Sequence, residues 1–317
     1  MDAPLIIAAP SKGRLKEQVE AWLADCGLRL EAEGGARGYM GRLKGLAGAQ
    51  VRLLSAGDIA EALDAGDVHL GVTGEDLMRE RPGDLSGRAL LLRPLGFGRA
   101  DLVVATPKSW LDVDSMADLE EVAHDILART GRRIRVATKY ILQTRAFFAR
   151  HGLADYRIVE SGGATEGAPA AGAAELVVDI TTTGATLEAN GLKVLSDGVI
   201  LRSQAQLAAS LRAEWTTFQM TAAQTLLRQV EARAAARASA TLTWPEPATG
   251  AEAVIAGLVA QGASRRPNGL LLPAGDLAAA GQALSRAGLG PVTASQPDFV
   301  FESDSPGWNQ LRAKLRP

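Results

Sequence analysis

Cysteine is almost absent: Cys26 stands alone in 317 residues, so no internal disulfide can form and the chain suits a reducing cytoplasm. Histidine is nearly as scarce. His69, His124 and His151 are scattered without metal-ligand spacing and read as surface or packing residues. Neither sign of charge prevails, with 34 Lys and Arg against 36 Asp and Glu and a formal net charge of -2. That balance excludes a general nucleic-acid binder and leaves room for a local basic patch. No apolar run is long enough to span a bilayer. The start Met1-Asp2-Ala3-Pro4 carries no basic region before the short run Leu5 to Ala9, so no signal peptide is expected. Internal repeats and long low-complexity segments are missing, although 230–240 is rich in alanine and arginine. A hydrophobic content of 47% with 22% charged residues is ordinary globular composition, and the length allows two or three domains.

Short apolar runs alternate with helical periodicity. Strands are expected at Leu5–Ala9, Val51–Leu54, Val68–Val72, Leu90–Leu92 and Asp101–Ala105. Leu15, Val19, Trp22 and Cys26 recur at helical spacing, and Asp58 marks the N-cap region of a helix that ends near Gly66. A second series follows, with strands at Ile134–Ala137, Arg157–Val159 and Leu176–Val178, and helices from Gln143 to His151 and from Glu166 to Ala171. Lys193–Leu195 and Val199–Leu201 lead back toward the first sheet. A long helix is expected from Leu211 to Arg237, with Leu211, Trp215, Phe218 and Ala222 on one face and Arg228, Arg233 and Arg237 near its negative end. This rhythm is α/β, with mostly parallel sheets covered by helices. Two lobes joined by crossovers leave a cleft: residues 1–102 with 196–237 form lobe I, and 103–195 form lobe II. After Trp244-Pro245-Glu246-Pro247 the chain restarts as a small α/β domain, 239–317. It holds helices 250–262 and 276–288, strands Gly269–Leu272 and Phe299–Phe301, and a last helix opened by Ser305-Pro306 as N-cap and N1. That domain is expected to serve regulation or assembly, so a chain cut near Arg237 should keep its chemistry.

One loop carries more than a turn requires. In ELVVDITTTGATL, the buried strand 176–178 runs into Asp179, then into Thr181, Thr182, Thr183, Gly184, Ala185 and Thr186. A carboxylate where a parallel strand ends can accept hydrogen bonds from the two hydroxyls of a ribose. The backbone N–H groups of 183–186 and the helix start behind them can cradle an anion, with Gly184 permitting close approach. Diol plus phosphate is ribose 5-phosphate; a threonine-rich helix cap reads the loop equally well. Ser11-Lys12-Gly13-Arg14 follows a strand and opens a helix, which suits a polyphosphate or a solvated helix start. Thr73-Gly74 ends a strand on the same side of the first sheet, either as a nucleotide contact or as a plain turn.

Glu166, Gly172, Ala174, Val177, Asp179, Thr183, Gly184, Thr186 and Leu187 together resemble the signature segment of ATP phosphoribosyltransferase, the first enzyme of histidine biosynthesis. Ser11–Leu15, Asp58-Ile59, Asp67–Gly74, Gly96–Arg99, Ala137–Tyr140 and Leu187–Leu192 are similar to the same family in the same order. The resemblance covers residues 5–225. It departs at Ile141, where the family commonly has proline. Salvage phosphoribosyltransferases share the loop but typically carry two adjacent acids before it, whereas Val178 precedes Asp179 here.

The resemblance implies a two-lobed, periplasmic-binding-protein-like catalytic region that joins ATP to phosphoribosyl pyrophosphate. It assigns Glu166, Asp179 and Thr182 to Thr186 to phosphoribosyl pyrophosphate. Lys12, Gly13, Arg14, Thr73, Gly74 and Arg99 go to ATP or pyrophosphate, with Lys139 and Tyr140 as weaker neighbours. Mg²⁺ is the implied cofactor, with no ligand assigned. A homo-oligomer, dimer or hexamer, is implied as well. Long-form members end in a small histidine-binding domain, and short-form members use a separate regulatory subunit, so histidine inhibition and a partner subunit both stay open. Two rivals stand beside this reading: a salvage-type transferase, and a two-lobed ligand-binding module without chemistry.

Overall fold

The computed structural model describes residues 3–33, 39–245 and 250–315. Glu246 and Pro247 of the proline-containing break lie outside the described residues, as do Met1 and Asp2. Lobe I opens with β1 (Leu5–Pro10), α1 (Gly13–Asp25), β2 (Arg29–Glu33), β3 (Met40–Lys44) and β4 (Ala49–Leu54). It continues through α2 (Ala56–Ala65), β5 (Leu70–Gly74), the short α3 (Glu75–Arg79) and β6 (Ala89–Pro94). Lobe II holds β7 (Ala100–Pro107), α4 (Met116–Thr130), β8 (Ile134–Thr138), α5 (Ile141–Arg150), β9 (Tyr156–Glu160), β10 (Leu176–Thr181), α6 (Ala185–Ala189) and β11 (Leu192–Ser203). The chain then returns to lobe I as β12 (Ala205–Ser210) and α7 (Thr217–Arg237).

The lobe I sheet has seven strands in the order β2-β3-β4-β1-β5-β12-β6, and the lobe II sheet five in the order β11-β7-β10-β8-β9. Parallel pairing is confined to β4-β1-β5 in the first and to β10-β8-β9, which reaches the edge, in the second. The flanking strands pair antiparallel, so both sheets are mixed rather than mostly parallel. Helices cover both faces of each, which explains why Leu70, Val72, Val104, Val136 and Val178 read as continuous apolar runs.

Several local expectations shift by a few residues for identifiable reasons. Ser55, not Asp58, caps α2, its hydroxyl accepting the Asp58 amide at 3.2 Å. The helix expected over Glu166–Ala171 is a single 3₁₀ turn, Thr165–Gly167, entered from Ala164 at φ 50. The long helix starts at Thr217, because Ala205–Ser210 is buried between β5 and β6 as a strand and Leu211 to Thr216 form its exit loop. Leu211 and Trp215 therefore lie off that helix. Arg233 and Arg237 bind the Asp25 carboxylate at 2.7 and 2.9 Å rather than only facing a helix end. A bulged β11 keeps residues 196–203 in the second sheet, so the crossings fall near Gly98–Ala100 and Ser203–Ala205.

Beyond α7 lies a strand-helix-strand-strand-helix-strand unit: β13 (Ser239–Thr243), α8 (Glu252–Ala260), β14 (Ser264–Arg266), β15 (Gly269–Pro273), α9 (Leu277–Arg286) and β16 (Thr293–Ser295). Its antiparallel order β14-β15-β13-β16 is ferredoxin-like. Phe299–Phe301 is not a strand; the last strand is β16. The final helix α10 (Pro306–Leu315) leaves this unit and packs Trp308 and Leu311 into the lobe I core. Its end is capped by Glu231 of α7, which accepts the Gly307 amide at 2.7 Å, while the Ser305 hydroxyl donates to the same carboxylate.

Candidate active site

Both lobes present strand ends to the cleft. In lobe II, Asp179 sits near the end of β10, beside Val103 of β7, and its Oδ1 accepts the Ile180 amide at 2.8 Å. Burial pushes its carboxyl above the ordinary aspartate value, and nearby Glu166 pushes the same way. Lys139, at the exit of β8, opposes that shift together with the Ile180 amide and the Thr165 hydroxyl. The Asp179 and Glu166 carboxylates thus act on each other electrostatically.

The threonine loop is held from inside. Thr181 Oγ1 accepts the Gly184 amide at 2.8 Å, and Thr183 Oγ1 accepts the Ala185 amide at 3.4 Å. Gly184 has φ +79, a left-handed conformation that glycine alone adopts without strain, and a Cβ there would meet nothing within 4 Å. Glycine is needed for the turn, and the space beside it is open. Thr182, Thr183, Ala185 and Thr186 are exposed around that space.

Across the cleft, Lys12 is the extended N-cap of α1 and Gly13 its first residue, with φ +74. Lys12 and Arg14 are both exposed and make no ion pair among the described residues. Arg14, Leu15 and Gln18 of α1, the segment Gly96–Arg99 and Thr182 line one cavity of about 440 Å³. The Thr182 hydroxyl donates to the Arg99 carbonyl at 3.1 Å, closing the loop against the crossover. Gly96 is pinned by Gln204 Oε1 at 3.0 Å, and the Phe97 carbonyl by the Ala205 amide at 3.0 Å.

Arg14, Arg99 and Thr182 are therefore brought together, whereas Thr73 and Gly74 are not. Thr73 is fully buried and its hydroxyl donates to the Ala56 carbonyl at 2.7 Å. Gly74 is glycine because a Cβ would collide with the Asp76 carboxylate. Gln18 was not singled out from the sequence, and nothing in its local pattern marks it; Phe97 lies within the Gly96–Arg99 segment but was given no role of its own. A larger cavity of about 860 Å³ at the outer edge of lobe II, lined by Arg132, Arg133, Arg145 and Arg157, contains none of the expected residues.

His69 is a packing residue. Its Nδ1 accepts the Ile6 amide at 3.0 Å, its Nε2 meets the Glu214 carbonyl at 3.0 Å, and burial lowers its pKa. Among the described residues no helix is long and apolar enough to cross a membrane.

A two-lobed α/β chain with a half-buried carboxylate, an open glycine turn and a cavity lined by arginines has the makings of a phosphoribosyl-transferring enzyme. A family model described as ATP phosphoribosyltransferase matches residues 55–232. The ATP phosphoribosyltransferase of Caulobacter vibrioides is 68% identical over 306 residues, 96% of each chain. That of a Bradyrhizobium species is 48% identical over 326 aligned positions, covering 100% of both, the small domain included. In three dimensions the chain is similar to the ATP phosphoribosyl transferase (HisG:HisZ) complex from Thermotoga maritima. That match has a TM-score of 0.54 and 23% identity over 72% of this chain and 96% of that one, a likeness of fold. The chain belongs to the ATP phosphoribosyltransferase family. Its reaction is the first step of histidine biosynthesis, transfer of the phosphoribosyl group of phosphoribosyl pyrophosphate to N1 of ATP, with release of pyrophosphate.

Proposed function

We propose that lobe II holds phosphoribosyl pyrophosphate and that lobe I meets it with the polyphosphate of ATP. The observation that carries this division is the cavity joining Arg14 and Arg99 to Thr182 across the lobe boundary. In this reading Asp179 and Glu166 accept the ribose hydroxyls, and residues 182–186 surround the 5′-phosphate. Lys12 and Arg14 contact triphosphate or leaving pyrophosphate, and Arg99 steadies the cleft floor.

The adenine N1 lone pair is free at neutral pH, so no general base has to remove a proton from it. Attack forms the bond from N1 to the anomeric carbon while the bond from that carbon to the pyrophosphate oxygen breaks. The electron pair departs with pyrophosphate through an oxocarbenium-like state. The side chains contribute positioning and charge stabilisation rather than a covalent intermediate. In this reading the Asp179 carboxyl faces the positive charge that develops on the ribose, and the arginines face the negative charge that leaves.

Among the described residues no three His, Cys, Asp or Glu side chains form a metal cage. Mg²⁺ is commonly bound by one or two carboxylates together with substrate phosphates. In this reading Asp179 and Glu166 would share such an ion. Bound there, it would neutralise the pyrophosphate as it leaves.

We further infer a cytoplasmic homo-oligomer, with the small domain or a separate subunit serving histidine regulation. Support comes from the relative solved as a complex of two kinds of chain and from a domain that shares none of the cleft residues. Light scattering with and without histidine tests that part. The site assignment is tested by calorimetric titration of phosphoribosyl pyrophosphate into wild-type and Asp179→Asn protein. Equal affinities would remove Asp179 from the site. Pyrophosphate release with ATP, but not with free bases, separates the reaction from salvage chemistry.

A further inference from the structure

Besides the two crossovers, lobe I reaches lobe II through α3. Asp76, in its first turn, is 4% exposed and spends both carboxylate oxygens on other parts of the fold. Oδ2 accepts the Tyr140 hydroxyl of lobe II at 2.7 Å, and Oδ1 accepts the Ser203 hydroxyl, at the second crossover, at 2.7 Å. The Asp76 amide donates to that same serine at 3.0 Å, and its carbonyl accepts Gln143 Nε2 at 2.9 Å. Just beyond, Glu80 accepts the amides of Leu142 and Gln143 at 2.7 and 3.2 Å, capping α5 from the opposite lobe. Leu77 packs against the cores of both lobes.

This seam meets lobe I, lobe II and a crossover at once, and its polar atoms are satisfied. Such a network has one good geometry and resists intermediate ones. Tyr140, 1% exposed, stays a donor, because burial and the Asp76 charge push its phenol far above the ordinary tyrosine value. Neither residue lines the cavity of Arg14, Arg99 and Thr182. Yet Tyr140 follows Lys139, and β8 pairs with the strand that carries Asp179. The glycine at 74, within the Thr73-Gly74 motif, is explained by the close approach of this carboxylate.

We propose that Asp76 is a positioning residue for phosphoribosyl transfer: with Tyr140 and Ser203 it fixes the angle at which the lobe I cations face the lobe II loop. The inference rests on the division of substrates between lobes given above. In that division the ribose 5-phosphate end of phosphoribosyl pyrophosphate is held by lobe II, so the affinity for that end does not depend on the angle. Turnover does, and a misplacement of about 1 Å can cost on the order of a hundredfold in rate.

The test uses the full chain carrying Tyr140→Phe, which keeps the ring, and Asp76→Asn. Tyr140→Phe should lower kcat roughly ten- to a hundredfold while the Kd for phosphoribosyl pyrophosphate, by calorimetry without ATP, stays within about threefold. Combining both substitutions should cost little more than the worse single one, since they break one network. Amide exchange at Leu142 and Gln143 should accelerate as the seam loosens. Wild-type kcat in Tyr140→Phe overturns the proposal. So does a loss of phosphoribosyl pyrophosphate affinity that matches the loss of kcat, because the effect would then be general destabilisation. Should Asp76→Asn fail to fold, Tyr140→Phe alone decides. A failure of the substrate division appears separately, as unaltered phosphoribosyl pyrophosphate binding in Asp179→Asn.

Discussion

Glu231 accepts the Gly307 amide at 2.7 Å, so a side chain in the second half of α7 caps the helix that follows the small domain. That contact and the burial of Leu311 at 0% exposure make α10 a part of lobe I. A chain cut near Arg237 would lose Trp308, Leu311 and the partner of Glu231 together, contrary to the expectation from the proline-containing break. Leu311→Ala should cost about 2–5 kcal/mol, read from the denaturant midpoint. The cut chain should be unstable and inactive; a cut chain with wild-type stability would show α10 to be dispensable.

Asp179→Asn should separate activity from stability. Loss of charge-assisted hydrogen bonds to the ribose, worth about 1.5–3 kcal/mol, should raise the KM for phosphoribosyl pyrophosphate on the order of ten- to a hundredfold. The folded-state pKa of Asp179 is raised, so the native state binds its proton more tightly than the unfolded chain does. Ionisation therefore costs stability above the folded pKa, and the cost disappears below the unfolded value near 3.8. The asparagine variant should be at least as stable as wild type at neutral pH. A lower melting temperature for it at pH 7 would contradict this assignment.

Gly184→Val should abolish tight binding of phosphoribosyl pyrophosphate in a folded protein, because a β-branched residue resists φ +79. Gly184→Asn, which tolerates the left-handed region better, should lose less. Equal affinity for the valine variant, by calorimetry, would reduce the loop to a helix cap.

Asp25 should dominate the acid end of the stability curve. Its pKa is lowered to about 2, first by the hydrogen bond from Arg233 and against the opposing effect of burial, with Arg237 adding to the depression. A depressed carboxyl stabilises the fold above its unfolded pKa of 3.8 and ceases to as the pH falls through 2. Asp25→Asn should cost about 2 kcal/mol at pH 7 and little at pH 2. Parallel pH profiles of unfolding for the two proteins would refute the pairing.

Much of this architecture was legible because strands and helices buried on one side or both leave strong periodic signals. Leu176-Val177-Val178 and Leu15-Val19-Trp22 needed no partner to be read. The loop after Asp179 stood out through residue chemistry, as Thr and Gly cluster there around an open space. What escaped was set by tertiary pairing. Ala205–Ser210 carries small residues without alternation, because both faces are buried between β5 and β6. Phe299-Val300-Phe301 has strand-forming residues, yet the Val300 amide donates to the Ala232 carbonyl at the end of α7 and finds no ladder. The Asp76–Tyr140 bond spans 64 positions and has no local signature. At Gly74 the two readings stayed level, because a glycine beside a carboxylate reads the same from sequence as one beside a phosphate.

The placement of β12 has a consequence for synthesis. β6 joins the lobe I sheet only through β12, which is made after the whole of lobe II. The chain from Leu5 to Pro94 thus leaves the ribosome with one strand unattached and Leu70 to Gly74 unpaired on one edge. Lobe II, continuous from Ala100 to Ser203, can close first, once β10 and β11 have been made and pair with β7. Lobe I then waits for residues 205–210 to slot in, and for α10 to arrive from the far end of the chain. The part translated first is the part finished last, and in that interval its open sheet edges are the surface most in need of protection from other chains.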